Sequence, residues 1–372
     1  MQVVLYLTLF SFVVLSFLRN TNLITYQNFY YFFKDLNASA EAVDVFASDS
    51  VSYPTADEQS FVLYRNGLAV AGNQSVTVFT ATGRQTVSQS INYKNPVAVG
   101  AGKYLLVYEL GGTQYSVYNS YTQLYMGKSD FPILGASVSD SGSFALISRS
   151  ESTNCTVSFY SDRFKLLHRF HRNGFVMDVS LDAQGERLAM LISNAENGRF
   201  LTRLEICDLR DQDDHAMKTV EISDTLALSC RFTGYGVGVL CEDGFTFVNT
   251  NAEVEAYEPF SAVNVVSCFM NEEYSVFCLK KAPHSEEKQL IVFDKKGKML
   301  YNESVDDRLV SLAACDDTVF YCTSDELCRL ELSSATVTRI SYSVGKRHLL
   351  AVGHDEILIC SPQKAEYLRF GG

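Results

Sequence analysis

The chain of 372 residues contains no tryptophan, only 6 prolines and only 6 histidines. It also lacks any basic patch: 31 Lys and Arg stand against 43 Asp and Glu, a formal net charge of -12. That balance argues against nucleic acid as the main partner, because binding phosphates requires a run or face of positive charge. Catalytic signatures are missing as well. There is no G-x-S-x-G, no H-E-x-x-H, no phosphate-binding loop and no dinucleotide fingerprint. Cysteine is not scarce, with ten residues, but the spacings match neither a zinc site nor a small disulfide scaffold.

What remains is rich in 25 Phe and 21 Tyr and is 47% hydrophobic, which suits a folded chain with a sizeable core. From about residue 42 onward, helical periodicity nearly vanishes. Short runs of Val, Ile, Leu, Phe and Tyr alternate with Gly, Asn, Asp and Ser turns, the signature of strands and hairpins. Two phrases resemble each other closely: "SVSDSGSFALI" at residues 137–147 and "DVSLDAQGERLAML" at residues 178–191. A second element recurs as "VTVFTATGRQTV" at 76–87 and "IVFDKKGKML" at 291–300, with looser copies at 157–167, 245–255 and 328–340.

These elements combine into units of strand, turn, strand, loop, strand, turn, strand. Units start near Phe61, Val97, Ile133, Phe175, Leu226, Val263, Leu309 and His348. Four strands in roughly 40 to 50 residues is the period of a β-propeller blade. A blade cannot bury both faces alone, so the phrase is written once per blade. The last unit supplies three strands, and "AVDVFASD" at residues 42–49 offers a spare one to close the ring and remove two exposed edges. The expected fold is all-β, a propeller of eight blades spanning 42–372, with seven blades as the alternative.

Residues 2–18 carry no charge and are long enough to span a membrane as a helix. No basic start or A-x-A cleavage site marks a signal peptide. We therefore expect a membrane anchor at 1–19. At 20–41 we expect a juxtamembrane segment in which Tyr26, Phe29, Tyr30, Phe33 and Leu36 follow a helical period. Arg19 is the basic flank, which taken literally leaves the domain in the cytoplasm.

No residue stands out as catalytic, cofactor-binding or metal-binding. His168 and His171 sit three apart and would face opposite sides of a strand; a polar pair in a loop is the favoured reading. The acidic stretch 208–215 lacks the glycine and spacing of a calcium loop. Glu286 and Glu287 fall in an expected hairpin loop. The sets Cys230/Cys241, Cys268/Cys278 and Cys315/Cys322 each lie on consecutive strands, open to cross-strand disulfides or, preferred, to burial as small hydrophobes. Trp-dependent propeller signatures, among them those of quinoprotein dehydrogenases, sialidase repeats, WD40 and kelch blades, all fail here.

The helix followed by "NTNLITYQNFYYFFKDLN", then "VYELGGTQYSVYN" at 107–119 and "GFVMDVSLDAQGERLAML", resembles a family of uncharacterised membrane-anchored proteins of Clostridia-type Gram-positive bacteria. The resemblance implies one membrane helix and an extracytoplasmic propeller-like domain, and carries no activity. The basic start of that family is absent here. The resulting expectation is a single-pass membrane protein whose propeller binds a protein or glycan partner at the cell envelope. The alternative is a hydrolase or lyase built from loops at the channel mouth. An enzyme should gather carboxylates or histidines with shifted pKa values at one mouth. A binding module should show an exposed apolar patch there.

Overall fold

A computed structural model describes residues 50–371 except 65–66, 211–216, 261–264, 283–286, 306–308, 310, 324 and 343–347. The expected membrane helix, the juxtamembrane helix and the strand at 42–49 lie outside the described residues. Among the described residues there is no helix long and apolar enough to cross a membrane.

The described chain forms eight four-stranded antiparallel sheets arranged as an eight-bladed β-propeller. Blades 1 to 7 occupy residues 59–90, 96–128, 133–172, 175–223, 227–259, 265–305 and 311–341. Each runs in chain order from its inner to its outer strand. Blade 8 takes its three inner strands from residues 348–369 and its outermost strand from Ser50–Ser52. Unit starts read from the sequence fall within two residues of these. The ring closes through Ser50–Ser52, directly after the segment where the sequence placed the spare strand. Tyr53 holds the closure: its hydroxyl donates to the Ser361 carbonyl at 2.6 Å and its N–H to Gln363 at 3.0 Å.

Burial explains the repetition. Eight hydrophobic clusters fill the eight gaps between neighbouring blades. In the second strand of blade 4, Leu188, Met190 and Ile192 face blade 3, while Ala189 and Leu191 face blade 5. Strand alternation thus feeds two cores, and each large buried side chain contributes about 1.5–3 kcal/mol.

The repeated phrase does three jobs. Gly142 and Gly185 turn the first hairpin of blades 3 and 4 with φ of 95° and 70°, a region open to glycine. Asp182 accepts from the N–H groups of Glu186 and Arg187 and pairs with the Arg187 guanidinium at 2.9 Å. The two turns also touch: Asp140 N–H donates to the Ala183 carbonyl at 3.0 Å. The serine of the phrase stitches the ring. Ser137 Oγ accepts from Leu181 N–H at 3.0 Å, and Ser180 Oγ from Phe232 N–H at 2.9 Å. Ser60 and Ser311 do the same for Ala98 and Leu349.

Candidate functional site

The first strand of each blade borders the central channel and packs beside the first strand of the next blade, except between blades 5 and 6, whose first strands stand further apart. We call the end where these strands begin the upper end, and the end with their hairpin turns the lower end.

At the upper end the inner strands of blades 3 to 6 share one departure from regular pairing. Blade 3 pairs Ile133 with Ser148 and then Gly135 with Ile147, leaving Leu134 as an extra residue. Met177, Leu228 and Val266 are the extra residues of blades 4, 5 and 6. These are β-bulges, which re-aim a side chain at the cost of a ladder bond. All four extra residues are large apolar side chains, exposed by 37–39%. The inner strands of blades 1, 2 and 7 pair without a break, and that of blade 8 breaks only near its lower end. The bulges therefore build an apolar crescent on one side of the channel mouth. Phe175 joins it from blade 4, and Leu110, bridged to the start of blade 3, extends it.

Two features hold and frame the crescent. The Asp178 carboxylate, next to the Met177 bulge, accepts from Ser229 Oγ at 2.8 Å and Cys230 N–H at 2.9 Å, just past the Leu228 bulge. It also accepts from Val179 N–H at 2.8 Å. Burial pushes its pKa up, against the pull of these donors and of Arg231. The second and third strands of blade 4, Arg187–Glu196 and Arg199–Asp208, continue three residue pairs past the Phe175–Ser193 pair. At about 3.3 Å per residue this hairpin rises about 10 Å higher and carries exposed Phe200. Asp130, Arg149, Arg199 and Asp224 are exposed at the same end and supply a polar rim.

The lower end is acidic. Asp140, Asp182, Glu272, Glu273, Asp316 and Asp317 sit in or beside the first hairpin turns of blades 3, 4, 6 and 7. Partial burial, and then the charge of Asp140, raise the pKa of Glu272 above the usual carboxylate range. No group of three or more His, Cys, Asp or Glu is placed to hold a metal among the described residues.

The residues weighed in the sequence do not converge. His168 and His171 lie on the outer strand of blade 3, Leu166–Arg172, rather than in a loop. His168 stacks on Phe159 with rings 6.2 Å apart, while His171 Nδ1 shares a 3.0 Å hydrogen bond with Thr156. Asp208 pairs with Arg210, which pushes its carboxyl down to about 2; residues 211–215 lie outside the described residues. Glu287 pairs with Lys281 at 3.1 Å, and Glu286 lies outside the described residues. No cysteine is in a disulfide. Cys230 lies opposite Val239, Cys268 opposite Phe277 and Cys315 opposite Thr318, so none of the three sets faces its proposed mate.

The crescent was missed in the sequence, but its signal is there. Ile133-Leu134, Val176-Met177, Ala227-Leu228 and Val265-Val266 put two apolar residues in succession at the start of each strand. A bulge and a strand buried on both faces write the same doublet, and pairing is needed to separate them.

Solved structures similar to this chain share its fold. Apo AztD from Citrobacter koseri superposes with a TM-score of 0.52 at 10% identity, covering 80% of this chain and 87% of that one. A second Citrobacter koseri AztD structure gives 0.51 at 11% identity, with the same coverage. The Myceliophteria thermophila Cps50 (Swd1) β-propeller domain gives 0.48 at 11% identity, covering 85% and 97%. No curated protein matches the sequence. The profile of a family of unknown function, DUF5711, matches residues 44–370, nearly the whole propeller, and the chain belongs to that family.

Proposed function

We propose that this chain is a membrane-anchored docking module whose propeller binds an apolar segment of a partner polypeptide at the upper end of the channel. The observation that carries the reading is the bulge in four consecutive blades, each presenting an exposed apolar side chain. An apolar centre within a polar rim matches the anatomy of protein–protein interfaces. A polypeptide supplies both chemistries, with apolar side chains for the crescent and polar flanks for Asp130, Arg149, Arg199 and Asp224. The uncharged segment 2–18 supports the anchor. The sequence resemblance supports an extracytoplasmic propeller.

Photo-crosslinking in intact cells tests this, with a photoreactive residue at Met177 or Leu228 and at Asp316 as the lower-end control. The expected result is one discrete adduct from the crescent positions only. Rebuilt from purified components, that complex should weaken about tenfold or more in the double variant Met177→Ser and Leu228→Ser. Adducts from Asp316 alone, or an affinity unchanged in the double variant, would refute the reading.

A further inference from the structure

We propose that the cavity between blades 2 and 3 binds a neutral, polyhydroxylated ligand the size of one sugar residue. The cavity measures about 240 Å³ and opens at the upper end beside the loop 129–132. That is smaller than the roughly 300–1,000 Å³ of drug-sized ligand sites, so one sugar ring is the scale it suits.

Its origin is visible by comparison with the next blade. In blade 3 the second and third strands pair Ser148 with Thr156 and Leu146 with Ser158. Counted from the first hairpin turn, the same positions in blade 4 pair Ile192 with Arg203 and Met190 with Glu205. There the space is filled. Glu205 is buried and holds the Arg172 guanidinium at 2.7 Å and that of Arg203 at 3.0 Å. In blade 3 three small hydroxyl side chains, all buried, take these places: Ser148 stands where blade 4 has Ile192, and Thr156 and Ser158 where it has Arg203 and Glu205. The volume they leave is the cavity.

The lining points to the ligand class. A hydroxyl both donates and accepts, as the hydroxyls of a sugar do. Ser150 and Ser152 add two more at the rim, and His171 is held by Thr156 with its ring against the cavity. Fixed charges balance. Arg169 pairs with Asp130 at 2.8 Å, and the remaining charged lining residues, Lys128 and Glu151, are of opposite sign, so an anion gains no net attraction. Phe131 offers ring surface to the C–H face of a sugar, while Tyr160, stacked on Phe144 at 4.6 Å, forms part of the wall. The inference stands apart from the apolar crescent and survives its failure.

The test is saturation-transfer NMR on the full chain with D-glucose, D-galactose, D-mannose and N-acetyl-D-glucosamine. Inorganic phosphate serves as the anionic competitor. At least one sugar should receive saturation. The double variant Thr156→Arg and Ser158→Glu copies the blade 4 filling and should weaken that binding about tenfold or more at unchanged melting temperature. Ser158→Ala, a change too small to unfold the blade, should weaken it severalfold and serves as the readout if the double variant misfolds. Saturation of none of the four sugars, displacement of the sugar by phosphate, or full binding in a folded double variant or in Ser158→Ala would overturn the proposal.

Discussion

Asp178 is the residue on which most of the upper end depends. One carboxylate ties the bulge of blade 4 to that of blade 5 through Ser229 and Cys230. Asp178→Ala leaves those donors without their acceptor, which costs about 1–3 kcal/mol for each buried group left unpaired. Urea denaturation should show a lower midpoint at unchanged slope. Ser180→Ala, which orphans the Phe232 N–H, should cost a similar amount by the same assay. At the lower end the expected change has the opposite sign. Glu272 holds its proton more tightly folded than unfolded, so its contribution to stability is lost as pH rises through the folded pKa. Glu272→Gln should therefore raise the melting temperature slightly at pH 7–8. The gap should close as pH falls below the unfolded value of about 4.3. Melting curves of both proteins across that range check it. Cys268 is the one exposed cysteine, although desolvation by its surroundings pushes the thiol pKa up. A membrane-impermeant maleimide added to intact cells should label the native chain there, and Cys268→Ser should abolish the labelling. Labelling only after permeabilisation would place the propeller in the cytoplasm.

An inner strand bulged at its upper end is the element that separates blades 3 to 6 from the rest. Exposed side chains contribute little to folding, so Leu134→Ser and Met177→Ser should each change stability by about 0.5 kcal/mol or less while removing binding surface. Deleting Met177 is a different change. It restores regular pairing and pulls the Asp178 carboxylate out of reach of Ser229, so it should cost more than Met177→Ser in the same denaturation series. The contrast shows what was legible. Turn chemistry is local, and Gly142, Gly185 and Asp182 announced their hairpins in the sequence. A bulge is a relation between two strands, and Met177 reads as one more apolar residue until its partner strand is in place. The cavity was hidden for a related reason. Ser148, Thr156 and Ser158 look like ordinary strand residues until Arg203 and Glu205 in the next blade show what usually fills that space. The less favoured disulfide alternative falls on the same point: Cys230 and Cys241 share a hairpin but not a pair, and both are buried.

At the scale of the whole molecule, the repeat made eight blades countable, because each blade must bury two faces and so rewrites the same apolar pattern. Closure was less legible. Ser50–Ser52 is a three-residue strand whose role depends on finding residues 364–366 more than three hundred positions away. Removing residues 1–53 should expose the outer edge of Lys364–Arg369, lower the melting temperature and promote association through that edge. Size-exclusion chromatography with light scattering checks it. The central claim is that the apolar crescent at the upper end is the docking face. Its most direct test is selection of a random peptide library on the full chain in lipid nanodiscs. The enriched peptides are then titrated against the wild type, the double variant Met177→Ser and Leu228→Ser, and Asp316→Ser. The account predicts peptides with clustered apolar residues that lose about tenfold or more in affinity with the double variant and none with Asp316→Ser. Enrichment of basic peptides sensitive to Asp316→Ser, or of none at all, would contradict it.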